Sequence, residues 1–89
     1  MACFKVKNAD AVLDYMQDWS TWLGADSIAS STWTVTGGLV VDSSSIGSPA
    51  NTVTAWLSGG TFGTTAEATN TIVTAAGRTA EETIVFRVV

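Results

Sequence analysis

Asp10, Asp14, Asp18 and Asp26 are the only acidic cluster in the sequence, and two chemistries could use them. They could chelate a hard cation such as Ca²⁺, or supply a carboxylate pair for glycoside hydrolysis. Neither has its supporting motif: no EF-hand loop surrounds them, and their spacing is equally that of a solvated helix face. Other reactive side chains are scarcer still. Histidine is absent and Cys3 is the lone thiol, so neither an imidazole-assisted nucleophile nor a Cys/His zinc site can be assembled. Cys3 has no partner for an internal disulfide and reads as a small buried hydrophobe, with Lys5 and Lys7 as weak candidates to activate it. Gly59-Gly60-Thr61-Phe62-Gly63 resembles a phosphate cradle, but no Lys follows and no helix opens after it, so a turn between strands is expected. The acid–base residues do not converge. No enzyme is expected, and no catalytic residue, metal or cofactor.

The elements that position these residues follow from composition. Eighty-nine residues suit one domain spanning 1–89, and 28 of them are β-branched Thr, Val or Ile. Charged residues make up 13%, too few for a helical surface laced with ion pairs, while 46% are apolar and four are Trp, which excludes a disordered chain. Only four residues are basic and the formal charge is -4, which argues against a phosphate-binding surface and so against nucleic acid. No apolar stretch reaches the roughly 20 residues that cross a bilayer, so membrane insertion is not expected. The first residues hold no signal-peptide core and Ala2 excludes myristoylation, so a reducing cytoplasm is the expected place of synthesis and assembly.

Alternation is clearest in the last third. Thr65 to Thr74 puts Ala66, Ala68, Asn70 and Ile72 on one face, Ala75 to Arg78 turns, and Thr79 to Val89 returns with Ile84, Phe86 and Val88 together. Upstream, Val53, Ala55 and Leu57 alternate with Thr52, Thr54, Trp56 and Ser58. Leu39 to Ser45 reads as another strand, and Trp33 pairs with Val35 on a further one. Turn-forming residues separate these runs, at Gly37-Gly38, at Gly47 to Asn51 around Pro49, and at Gly77. The expected core is Trp33, Val35, Leu57, Ile72, Ile84, Phe86 and Val88, with one of Trp19 and Trp22 buried beside them. Exposure is expected for Trp56 alone among the tryptophans, which makes Trp56, Thr54, Thr52 and Ser58 a candidate protein interface. Residues 9–24 allow two readings. Their apolar residues fit a long helix capped by Gly24, or Val12–Gln17 is a strand followed by a short helix over Trp19–Leu23 with Asp18 as N-cap.

Three runs, taken together, resemble a known family. They are Leu13-Asp14-Tyr15 with Asp18-Trp19-Ser20-Thr21-Trp22-Leu23, then Ile28-Ala29-Ser30-Ser31-Thr32-Trp33-Thr34-Val35, then Trp56-Leu57-Ser58-Gly59-Gly60-Thr61. In this order they look like the fiber-tail adaptor proteins of tailed bacteriophages, small immunoglobulin-like virion proteins. The closing Thr69-Asn70-Thr71-Ile72 and Gly77-Arg78-Thr79-Ala80-Glu81 extend the likeness over nearly the whole chain. Members often carry Tyr where this chain has Ala66, the start of the penultimate strand, so a differently packed corner is expected there. The resemblance implies an all-β, immunoglobulin-like antiparallel β-sandwich of about seven strands, with one short helix near residues 19–23. It also implies a structural protein of the virion tail or neck, docking non-covalently in multiple copies on tail, neck or fiber subunits. A capsid decoration protein and a carbohydrate-binding module that uses Trp56 are the alternative readings.

Overall fold

Seven strands form in the computed structural model, which describes residues 2–47 and 50–89, with side chains from Phe4 onward. These are β1 (Ala2–Lys7), β2 (Leu13–Asp18), β3 (Ile28–Val35), β4 (Leu39–Ile46), β5 (Thr52–Gly59), β6 (Thr65–Thr74) and β7 (Thr79–Val88). One turn of helix, α1 (Ser20–Leu23), follows β2. The expected burial of the Cys3 side chain and the turn at Pro49 lie outside the described residues. The strands make two sheets, ordered β1-β7-β6-β3 and β2-β5-β4. All neighbours run antiparallel except β1, which lies parallel to β7. The result is an all-β, sandwich-like fold. Among the described residues, no helix is long and apolar enough to cross a membrane.

The inner faces of the two sheets supply the core. Leu57, Ala66, Ala68, Ile84, Phe86 and Val88 pack with Leu39 in one cluster, and Trp19, Leu23, Ile28, Val53 and Ile72 in a second. Trp33 is half-buried and touches both, while Val35 is half-buried against the first. Both residues sit on β3, the edge of its sheet, which leaves one flank of each without a neighbouring strand in that sheet. Asn70 stands among apolar neighbours and is 1% exposed. It accepts the Trp19 Nε1–H at 2.9 Å and donates to Ser31 Oγ and the Thr32 carbonyl at 2.8 and 3.1 Å. Two buried polar atoms, Tyr15 Oη and Trp33 Nε1, have no partner among the described residues.

Residues 9–24 resolve as strand plus short helix. Helix propensity differs by only a few tenths of a kcal/mol per residue, so tertiary pairing decides. Here β2 gains a six-residue ladder with β5, from Leu13 opposite Leu57 to Asp18 opposite Thr52. Tyr15 thereby turns inward and meets the Phe86 ring edge-on at 4.8 Å. The helix N-cap is Trp19 rather than Asp18, although Asp18 Oδ1 still accepts the Ser20 N–H at 2.8 Å. Gly24 closes the turn at φ +62°, a conformation that L side chains resist.

Two cations clamp the ends of the sandwich, and neither role was expected. Lys7 is 1% exposed, and its ammonium donates to the carbonyls of Gly59, Ala11 and Asn8 at 2.7, 2.7 and 3.0 Å. Burial pushes its pKa down, against the pull of Asp10 and Asp42. At the other end Arg78 bonds Asp26 at 3.0 Å and the Leu23 carbonyl at 3.1 Å, and lies 4.3 Å over the Trp22 ring. Trp22 corrects the expectation that Trp56 alone would be exposed. It is 43% exposed, because Trp19 occupies the core position and Trp22 stacks edge-on outside it.

Candidate docking surface

Strand β5 is the middle strand of its sheet, so its alternate residues define the centre of both faces. Val53, Ala55 and Leu57 have no exposed surface at all. A one-residue slip would expose all three and bury Trp56, so the register is strongly specified. Trp56 accordingly projects outward and is 45% exposed, while Thr52, Thr54 and Ser58 beside it are half-buried. A bulge does interrupt this sheet, but on β4 between Val41 and Ser43, where it leaves β5 regular. It sets Asp42 beside Ser58, whose hydroxyl donates to Asp42 Oδ1 at 3.0 Å.

Cross-strand register completes the surface with residues that local alternation does not reveal. Trp56 lies between Asp14 of β2 and Ser43 of β4, Thr54 between Met16 and Ser45, and Thr52 beside Asp18. Met16 and Val40 are both more than half exposed and give apolar area on either side of the indole. Asp14, Asp18 and Asp42 make the surface acidic. The Ser20 hydroxyl and its backbone N–H hold the Asp18 carboxyl below its ordinary range. Trp22, nearly as exposed as Trp56, differs in having its ring engaged by Trp19 and Arg78.

The aspartates singled out in the sequence do not converge. Asp14 and Asp18 lie on β2, whereas Asp26 belongs to the Arg78 clamp at the far end of the helix. Asp26 is held at a pKa of about 2, chiefly by the Thr74 hydroxyl and also by Ser27 N–H, Arg78 and Ala76 N–H. Among the described residues, no group of three or more His, Cys, Asp or Glu is gathered as a metal would require. Gly59 to Gly63 joins β5 to β6, with Gly59, Gly60 and Gly63 all at positive φ. An anchor aromatic ringed by hydroxyls and carboxylates is suited to non-covalent recognition. No curated protein matches the chain. The model of the family described as "Podophage GP4 fiber-tail adaptor protein gp77" matches residues 7–87, and the chain belongs to that family.

Proposed function

We propose that this protein is a non-covalent adaptor of the phage tail or neck, present in multiple copies, whose Trp56 surface is covered by a partner chain in the assembled particle. One observation carries the reading: three fully buried neighbours hold Trp56 outward at the centre of a sheet face, where its ring has no aromatic or cationic partner among the described residues. Exposed aromatics of this kind are enriched at the centres of interfaces, and many small contacts add through avidity. The partners are virion proteins rather than nucleic acid or lipid, a reading supported by the net charge of -4 and the acidic face. The immunoglobulin-like assignment is supported by strand order. With strands lettered A to G in sequence, β2-β5-β4 is B-E-D and β3-β6-β7 is C-F-G, the first strand lying beside G.

Trp56→Ser tests the reading by two measurements. Thermal stability of the isolated variant should stay within about 0.5 kcal/mol of wild type, as for a surface substitution. Recovery in purified virions should fall about ten-fold or more, the loss expected of a central interface aromatic. Normal stability together with normal incorporation would sink the proposal. Copy number separates the rival placements: hundreds per particle would indicate capsid decoration, and glycan binding by the isolated protein would favour a host-surface role.

A further inference from the structure

The outer face of the other sheet carries chemistry complementary to the Trp56 surface. On β1, Phe4 and Val6 are 81% and 67% exposed. With Val85 and Arg87 of β7 they line a groove of about 580 Å³, bordered on its far side by residues 63–65. Register sets Phe4 beside Val85 and Val6 beside Arg87, while Lys5, opposite the inward-facing Phe86, borders the groove from the sheet edge. The chain has four basic residues, of which Lys7 and Arg78 are consumed by the clamps at the two ends of the sandwich. The other two, Lys5 and Arg87, have no hydrogen bond or ion pair among the described residues. Both therefore stand unpaired at one apolar groove, in a chain of net charge -4. Glu67, opposite Val85 on β6, is outside the groove lining.

We propose that the Trp56 surface of one copy docks into the Phe4–Val6–Arg87 groove of a second copy, which rests on reading Trp56 as a docking residue. The indole and Met16 provide the apolar projection, the groove receives it, and Asp14 and Asp18 meet Lys5 and Arg87. Charge selects this pairing over the symmetric ones. Two Trp56 surfaces face to face would oppose carboxylates with no cation between them, and two grooves would oppose only Lys5 and Arg87 with their copies. The matching surfaces lie on opposite sheets, so the contact is heterologous. Each docked pair leaves one surface of each kind open, and association propagates until rotation closes a ring.

Cysteine cross-linking distinguishes this arrangement from its rivals. In the full chain with Cys3→Ser, Met16→Cys marks the Trp56 surface and Val6→Cys marks the groove. Oxidation of the double-cysteine chain, in concentrated solution and in purified particles, should give a ladder of dimer, trimer and higher products. A mixture of the two single-cysteine chains should stop at dimer. Lys5→Glu with Arg87→Glu should weaken the ladder about ten-fold or more, and adding Asp14→Lys with Ser43→Lys should restore it. Circular dichroism of each variant establishes that it is folded. Products no larger than dimer from the double-cysteine chain, or a ladder unaffected by the charge reversals, would overturn the proposal. So would cross-linking of Met16→Cys to a different virion protein, although the adaptor reading would then stand. Absence of the wild-type chain from purified particles would instead remove the adaptor reading itself.

Discussion

Replacing Asn70 by Ala deletes three hydrogen bonds at the point where the two core clusters meet. The Trp19 Nε1–H, on a residue 6% exposed, loses its acceptor. Stranding that donor costs about 1–3 kcal/mol, while the bonds to Ser31 and Thr32 contribute about 0.5–1.5 kcal/mol each and can be partly replaced by solvent. Their sum is about 3 kcal/mol, a large share of the roughly 5–15 kcal/mol that stabilises a typical domain. At about 4–8 °C per kcal/mol, Tm should fall by about 15 °C. Urea unfolding followed by tryptophan fluorescence should show a lower midpoint at unchanged slope. A double-mutant cycle with Trp19→Phe should return a coupling of about 1 kcal/mol or more. Asn70→Asp adds a sign test. It keeps the acceptor but buries a carboxylate, whose folded-state pKa is raised, so the native state binds the extra proton and stability should increase as pH falls. A loss below about 1 kcal/mol for Asn70→Ala, with no coupling to Trp19, would refute the bridging role.

Other substitutions probe separate links. Trp33→Ala should cost about 3–5 kcal/mol by emptying a site shared by both clusters, whereas Trp33→Phe should stay within about 1 kcal/mol because the lost N–H has no partner; denaturant midpoints of the two variants should differ accordingly. Gly37→Ala should destabilise by more than about 1 kcal/mol, since φ is +67° and a Cβ there would stand 2.5 Å from Ala66 Cβ, again read from the urea midpoint. Asp26 is depressed to about 2 from an ordinary 3.8, so its contribution is present above 3.8 and lost as pH falls through about 2. Acid titration of stability should lose that component in Asp26→Asn.

Much of the fold was legible because alternation and turn chemistry agree along the chain. The period of two from Thr65 to Thr74, broken by Ala75 to Arg78 and resumed at Thr79, corresponds to β6 and β7. On β5 the same period turns Val53, Ala55 and Leu57 inward and Trp56 outward. Where partners came from distant residues, legibility ended. Nothing near Lys7 marks it as buried, because one of its carbonyl acceptors belongs to Gly59, 52 residues away. The strand β1 and the outward face of its Phe4 and Val6 were not legible in the sequence, because the parallel pairing with β7 joins opposite ends of the chain. Trp22 fits a helical apolar stripe, but its ring stacks edge-on outside Trp19, and Arg78, returning from the far hairpin, covers it. The docking surface divides in the same way. Its β5 residues follow from alternation alone, whereas Asp14, Met16 and Ser43 join it through cross-strand register, which a single strand does not encode.

A density map of the intact virion tests the central claim most directly. The account predicts this chain at the tail or neck, in several copies, with the Trp56 indole covered by a neighbouring protein chain. A map that places it on the capsid shell, or at the tail with Trp56 facing solvent in every copy, would contradict it.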